Sequence, residues 1–187
     1  SVGVLGAYAL NDSVGYTWFA PAGLNRATFP PDITSVQGGP LVVDNLDNLY
    51  DADINPIKDN SSGNICVWGQ KTLLRGASAL DRVNVRRLLI SIRRRVRDVA
   101  RRIIFEPNRQ ETLDKFNAMV APIMQSIQER SGVDRYKVVI DATTTTQADI
   151  ENNTIRGKIF IQPTRTAEFV ALDFVLANAG SDAFDSA

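Results

Sequence analysis

Residues 136–162 read YKVVIDATTTTQADIENNTIRGKIFIQ, and within them the spacing of the apolar residues is that of strands. Tyr136 to Asp141 is a short β-branched run, and Ile155, Ile159 and Ile161 alternate with polar neighbours, which predicts strands at Tyr136–Asp141 and Ile155–Gln162. Thr143 to Asn153, between them, reads as a long polar loop. Upstream the period is helical. Val85, Leu88, Leu89, Ile92, Val96, Val99 and Ile103 recur every three or four residues, so a helix is expected from Arg82 to about Phe105, capped by Asp81. Pro107 breaks it. Asn108 followed by Glu111 is a capping-box pattern for a second helix, with the stripe Leu113, Phe116, Val120, Met124 and Ile127 and with Gly132 as its stop. Pro122 lies inside that stripe and predicts a kink or a split, because proline removes a backbone donor and crowds the preceding turn. Long helices followed by strands specify an α+β fold, a mixed β-sheet flanked by long α-helices.

Towards the N-terminus, Val2, Leu5 and Ala9 have helical spacing, and Trp18, Phe19, Pro21 and Gly23 read as turn and packing residues. Ile33 to Val36 is a candidate short strand. Pro40 opens an expected helix with Leu41, Val42, Leu46 and Leu49 on one face, and Ile65 to Trp68 is a candidate buried strand in which Cys66 serves as a small core residue. Trp68, Phe105, Phe116 and Tyr136 each fall in an apolar stripe or strand and are expected in the core. Beyond Pro163–Thr166, Glu168 to Ala177 has strong strand composition.

The 187 residues, 44% hydrophobic and 22% charged, suffice for one sizeable core. There is no histidine, which removes the usual general base near neutral pH, the commonest metal ligand and every Ser-His or Cys-His nucleophile. A single cysteine excludes an intrachain disulfide and a zinc cluster. No phosphate-cradling glycine motif occurs, so no cofactor is expected. Asp12, Asp32, Asp44, Asp47, Asp51, Asp53 and Asp59 crowd the first third, but their spacing fits no calcium loop; Asp44, Asp47 and Asp51 fit the solvated face of a helix. No apolar run approaches the ~18 residues that a membrane span needs, so no membrane insertion is expected. The chain opens at Ser1 rather than Met, which predicts that it is part of a longer polypeptide.

Lysine plus arginine and aspartate plus glutamate both number 21, so the chain has no net charge. Its one strongly basic element is the helix after Asp81, where Arg82, Arg86, Arg87, Arg93, Arg94, Arg95, Arg97, Arg101 and Arg102 stand against Asp98. So many guanidinium groups repel one another unless acidic surface lies alongside. Nucleic acid would call for a net basic domain with aromatics among the arginines, and neither is present, so direct nucleic-acid binding is not expected. Arg86, Arg87, Arg93, Arg94, Arg95, Arg97, Arg101 and Arg102 are therefore candidates for a protein interface.

Seven phrases then occur in order: APAGLNR (20–26), LYDADINPI (49–57), VWGQKTL (67–73), DRVNVRRLL (81–89), FEPN (105–108), YKVVIDATTTT (136–146) and IQPTRTAEFVALDFV (161–175). Together they resemble the C-terminal domain of the contractile tail sheath proteins of tailed bacteriophages, the T-even type in particular. The resemblance implies a structural subunit rather than an enzyme. Such subunits stack as hexameric rings around a tail tube, and contraction drives the tube through the host envelope for DNA delivery. Residues 1–167 would be the conserved inner sheath domain and 168–187 a C-terminal arm, with the outer domains and the N-terminal extension lying outside these residues. The implied partners are other copies of the chain in a helical sheath, the tail tube protein, and baseplate and tail terminator proteins; the implied location is the virion tail, after assembly in the host bacterial cytoplasm. The same domain would serve a phage-like particle or secretion system, and a soluble enzyme or binding protein of unknown ligand is the remaining alternative.

The two strands after Tyr136 would form a ribbon that is marginal alone and leaves unpaired edges. The segment carrying Phe169, Val170, Leu172, Phe174 and Leu176 either folds back on that ribbon or extends to the ribbon of a neighbour. The sheath resemblance favours exchange, with Val138, Ile140, Ile159 and Ile161 on the accepting strands.

Overall fold

A computed structural model describes residues 2–36, 43–59, 64–76, 78–141 and 144–168. The expected positions Pro40, Leu41 and Val42, and the candidates Phe169, Val170, Leu172, Phe174 and Leu176, lie outside them. Five helices are described, α1 (Val2–Val14), α2 (Val43–Asp51), α3 (Val83–Ala100), α4 (Gln110–Glu129) and α5 (Gln147–Glu151). The strands are β1 (Ile57–Asp59), β2 (Ile65–Val67), β3 (Val133–Val139) and β4 (Lys158–Pro163). The class is α+β as expected. The described strands make two separate antiparallel pairs, β1–β2 and β3–β4, instead of one mixed sheet.

The main core lies between α3, α4 and the β3–β4 ribbon. Leu88 and Ile92 from α3 meet Phe116, Val120, Met124 and Ile127 from α4, the stripes that helical spacing puts on facing sides. α4 runs unbroken through Pro122 from Gln110 to Glu129. Its end is a Schellman turn in which Gly132 N–H donates to Ile127 O (2.9 Å) and Ser131 N–H to Gln128 O (3.0 Å). The left-handed residue is Ser131, at φ 56°; glycine is required one place later, because a Cβ on Gly132 would come within 2.6 Å of the Ile127 side chain. Trp18 closes the same corner, buried, with its indole N–H donating to Arg130 O at 3.0 Å.

Several expectations are corrected. Ile33 to Val36 forms no strand; the bridge in that region is made by Thr28, opposite Cys66. α3 is preceded by a 3-10 turn at Ala79–Asp81 and its N-cap is Arg82, not Asp81. It ends at Ala100, five residues early, because the chain then tightens into turns in which Arg102 N–H bonds Val99 O and Ile103 N–H bonds Ala100 O. Phe105 follows at φ 75° and is fully exposed, so the helical stripe no longer carries it into the core. Trp68 is 39% exposed, just past the end of β2, with Lys58 Nζ 4.3 Å from its ring centre. Phe116 is buried as expected, and Tyr136 is half-buried against the core. The cap of α4 is Arg109 without a side-chain bond; Asn108 donates instead to Thr154 O, and Thr112 Oγ1 to Pro107 O. Finally, the polar loop between the last two strands holds α5, started by a capping box between Thr146 and Asp149.

Candidate assembly surfaces

β3 and β4 are antiparallel, with Tyr136 opposite Ile161 and Val138 opposite Ile159, and a bulge between Val133 and Arg135. Alternation turns Tyr136, Val138, Ile159 and Ile161 toward the core and leaves Lys137 and Phe160 outside. Ile140, just past β3, is buried at 5% exposure, and Gly157 sits against it where a Cβ would come within 2.8 Å. The four accepting-strand candidates therefore bind the ribbon to the domain body. What faces outward is backbone: among the described residues, neither strand has a second partner, so each keeps an outer edge.

The arginines of α3 and of the turn that follows it divide into two groups. Arg87 turns to α1, donating through Nη2 to Asp12 Oδ2 at 2.6 Å and lying over the Tyr8 ring. Arg95 lies 5.9 Å from the Trp18 ring centre, and Arg86 Nε donates to Leu80 O. Arg101 pairs with Asp98 at 3.4 Å, both well exposed. Arg93, Arg94, Arg97 and Arg102 are exposed and form no ion pair with a described carboxylate. Ile90, 66% exposed, stands among Arg86, Arg93, Arg94 and Arg97 at helical spacings of three, four and seven. The helix thus presents an apolar side chain inside a rim of guanidinium groups, a composition enriched at protein interfaces.

A third feature was not foreseen, because it joins residues far apart in sequence. The chain leaving β4 is tied back to the body at three places. Thr164 Oγ1 donates to Asp134 Oδ1 at 2.6 Å, and Asn84 Nδ2 donates to Thr166 Oγ1 at 3.1 Å. Glu168 then accepts from Tyr50 OH (2.6 Å), Arg82 Nε (2.8 Å) and Gln70 Nε2 (3.1 Å). Burial alone would raise the Glu168 carboxyl, but these bonds from Tyr50, Gln70 and Arg82 outweigh it and hold it below the usual range. Burial, followed by the bond to Glu168, pushes the Tyr50 phenol up to about 12. Tyr50, Gln70 and Glu168 border a cleft of about 270 Å³ lined also by Leu46, Pro56 and Trp68.

Among the described residues, the domain thus carries a two-stranded ribbon with unpartnered edges and a helix with an exposed cationic face. The model of the phage tail sheath C-terminal domain family matches residues 77–177, and the chain belongs to that family. It is 32% identical to the tail sheath protein of Vibrio phage KVP40 and 30% identical to that of Enterobacteria phage T4, over 96% of the chain in both cases. The chain spans about a quarter of the length of these relatives, 26% and 27%. Among solved structures it is similar to the sheath complex of an extracellular contractile injection system in the contracted state, with a TM-score of 0.76 and 29% identity over 93% of this chain and 50% of that one. The anti-feeding prophage baseplate structure contains the same fold, with a TM-score of 0.82 at 22% identity, over 94% of this chain and 49% of that one.

Proposed function

We propose that this chain is the inner, polymer-forming domain of a contractile tail sheath subunit, with residues 1–167 as its body and 168–187 as an arm that joins a neighbouring copy. The observation that carries this reading is the two-stranded β3–β4 ribbon, whose outer edges have no partner among the described residues, in a chain whose relatives are tail sheath proteins. An added strand satisfies those edges, and backbone pairing holds neighbours while leaving the angle between domain bodies free to change. The segment with Phe169, Val170, Leu172, Phe174 and Leu176 has the composition to supply it. Copies stack as hexameric rings around the tail tube, between baseplate and terminator, and contraction of the stack drives the tube through the host envelope. Assembly takes place in the host cytoplasm and the product is part of the virion. The arginine face of α3, with Ile90 at its centre, meets acidic surface on the tube or on an adjacent copy.

A second reading, the sheath of a phage-like particle, is supported by the likeness to an injection-system sheath. Particles purified with a packaged genome favour the first reading, and genome-free particles the second. The test of the linkage is deletion of residues 169–187. The expected result is a folded protein by circular dichroism that makes no tubular polymer under the electron microscope. Polymers of normal length from the deleted chain overturn the arm.

A further inference from the structure

The three donors that hold Glu168 come from three separate places in the fold. Tyr50 lies on α2, Gln70 follows β2, and Arg82 is the N-cap residue of α3. Both carboxylate oxygens are engaged, Oε2 by Tyr50 and Oε1 by Arg82 and Gln70. The donors are themselves held. Arg82 Nη2 donates to Tyr50 OH at 3.0 Å, and its Nη1 pairs with Asp81 Oδ2 at 3.0 Å, so the guanidinium plane is fixed from two sides. Gln70 is 3% exposed. A carboxylate met by charged and neutral donors on several elements has one orientation available to it. Glu168 belongs to neither apolar cluster, and its bonds instead fix the position of the backbone at residue 168.

We infer that Glu168 is a positioning residue for polymerisation: the clamp of Tyr50, Gln70 and Arg82 fixes the point from which the C-terminal arm leaves the body, and thereby whether the arm reaches a neighbour. The inference rests on the reading of residues 168–187 as an exchanged arm. A pinned root removes conformations that the arm would otherwise lose on pairing, and it raises the arm's effective concentration at the neighbouring edge.

The experiment measures polymer formation by the intact protein, by sedimentation and electron microscopy, for Glu168→Ala, Glu168→Gln, Tyr50→Phe and the deletion of 169–187. Glu168→Ala is expected to keep its circular dichroism spectrum while the concentration needed for polymer rises about tenfold, as loss of charge-assisted bonds implies. Hydrogen exchange at residues 164–168 should quicken in parallel. Glu168→Gln keeps the acceptor oxygen and should show a smaller rise. If the deletion abolishes polymer but Glu168→Ala polymerises at the unmodified concentration, the clamp is overturned and the arm reading stands. If the deleted chain polymerises, the arm reading falls and this inference with it. Should Glu168→Ala fail to fold, Tyr50→Phe decides, since it removes one hydroxyl: unmodified polymerisation together with unmodified exchange at 164–168 overturns the proposal.

Discussion

Two phenylalanines eleven residues apart show how far local conformation governs the outcome of a substitution. Phe116 is 8% exposed between α3 and the ribbon, so Phe116→Ala leaves a cavity that close packing cannot refill, and a loss of about 3–5 kcal/mol is expected by urea unfolding. Phe105 is fully exposed at φ 75°, a conformation that disfavours a side chain bearing a Cβ. Phe105→Gly should therefore leave stability unchanged or raise it by up to about 1 kcal/mol in the same measurement. A loss as large as that of Phe116→Ala would mean that the ring is buried. The core position of Phe116 was legible because its helical period is uninterrupted on both sides. That of Phe105 was not, because the period alone carries no sign of the turns that begin after Ala100.

α3 is an element with two charged roles, and only one of them is open to a partner. Arg87 and Arg95 serve contacts with α1 and Trp18, whereas Arg93, Arg94 and Arg97 surround Ile90 on the exposed side. Reversing Arg93, Arg94 and Arg97 to Glu is expected to leave the melting temperature within a few degrees, since exposed charges away from ion pairs contribute little. Polymer formation should fall, and the defect should be greatest at low salt, because repulsion from an acidic partner acts over a Debye length of ~8 Å at physiological ionic strength. Light scattering across a salt series checks this, and an unchanged polymer yield at every salt concentration would exclude the arginine face as a contact. The two long helices and the β3–β4 pair were legible from apolar period, and the arginine excess from simple counting. The division of the arginines was not, because it depends on where α1 and Trp18 pack. α5 escaped notice for a different reason. Its five residues are too few for periodicity, and only the Thr146–Asp149 capping pair signals it.

In the whole molecule, the Glu168 clamp makes stability depend on pH at both ends of the scale. The folded Glu168 carboxyl lies below its ordinary 4.5, so its contribution is complete above that value and is lost as pH falls through the folded one. Tyr50 titrates at about 12 rather than 10.0, so its contribution is complete below pH 10 and is lost as pH rises through 12. Arg82, Asp81 and Gln70 complete the surroundings; burial works against the charge on Arg82, and its bond to Glu168 outweighs this and raises its pKa. Asp149, lowered by the Thr146 side chain and backbone and then by Arg156, adds to the acid side. Thermal melts should therefore lose stability below pH 4.5, and Glu168→Gln should lose less over that range; an identical acid profile in the two proteins would remove Glu168 from the account. The clamp also has a consequence in time. Tyr50, Gln70 and Arg82 precede Glu168 by 118, 98 and 86 residues, so a ribosome must synthesise nearly the whole domain before the final tie can form. Contacts of such sequence separation are slow to close, and on the proposed reading a nascent chain has no fixed arm root until residue 168 has emerged. On the reading of residues 168–187 as an exchanged arm, a copy therefore becomes able to link to its neighbour only once residue 168 is in place.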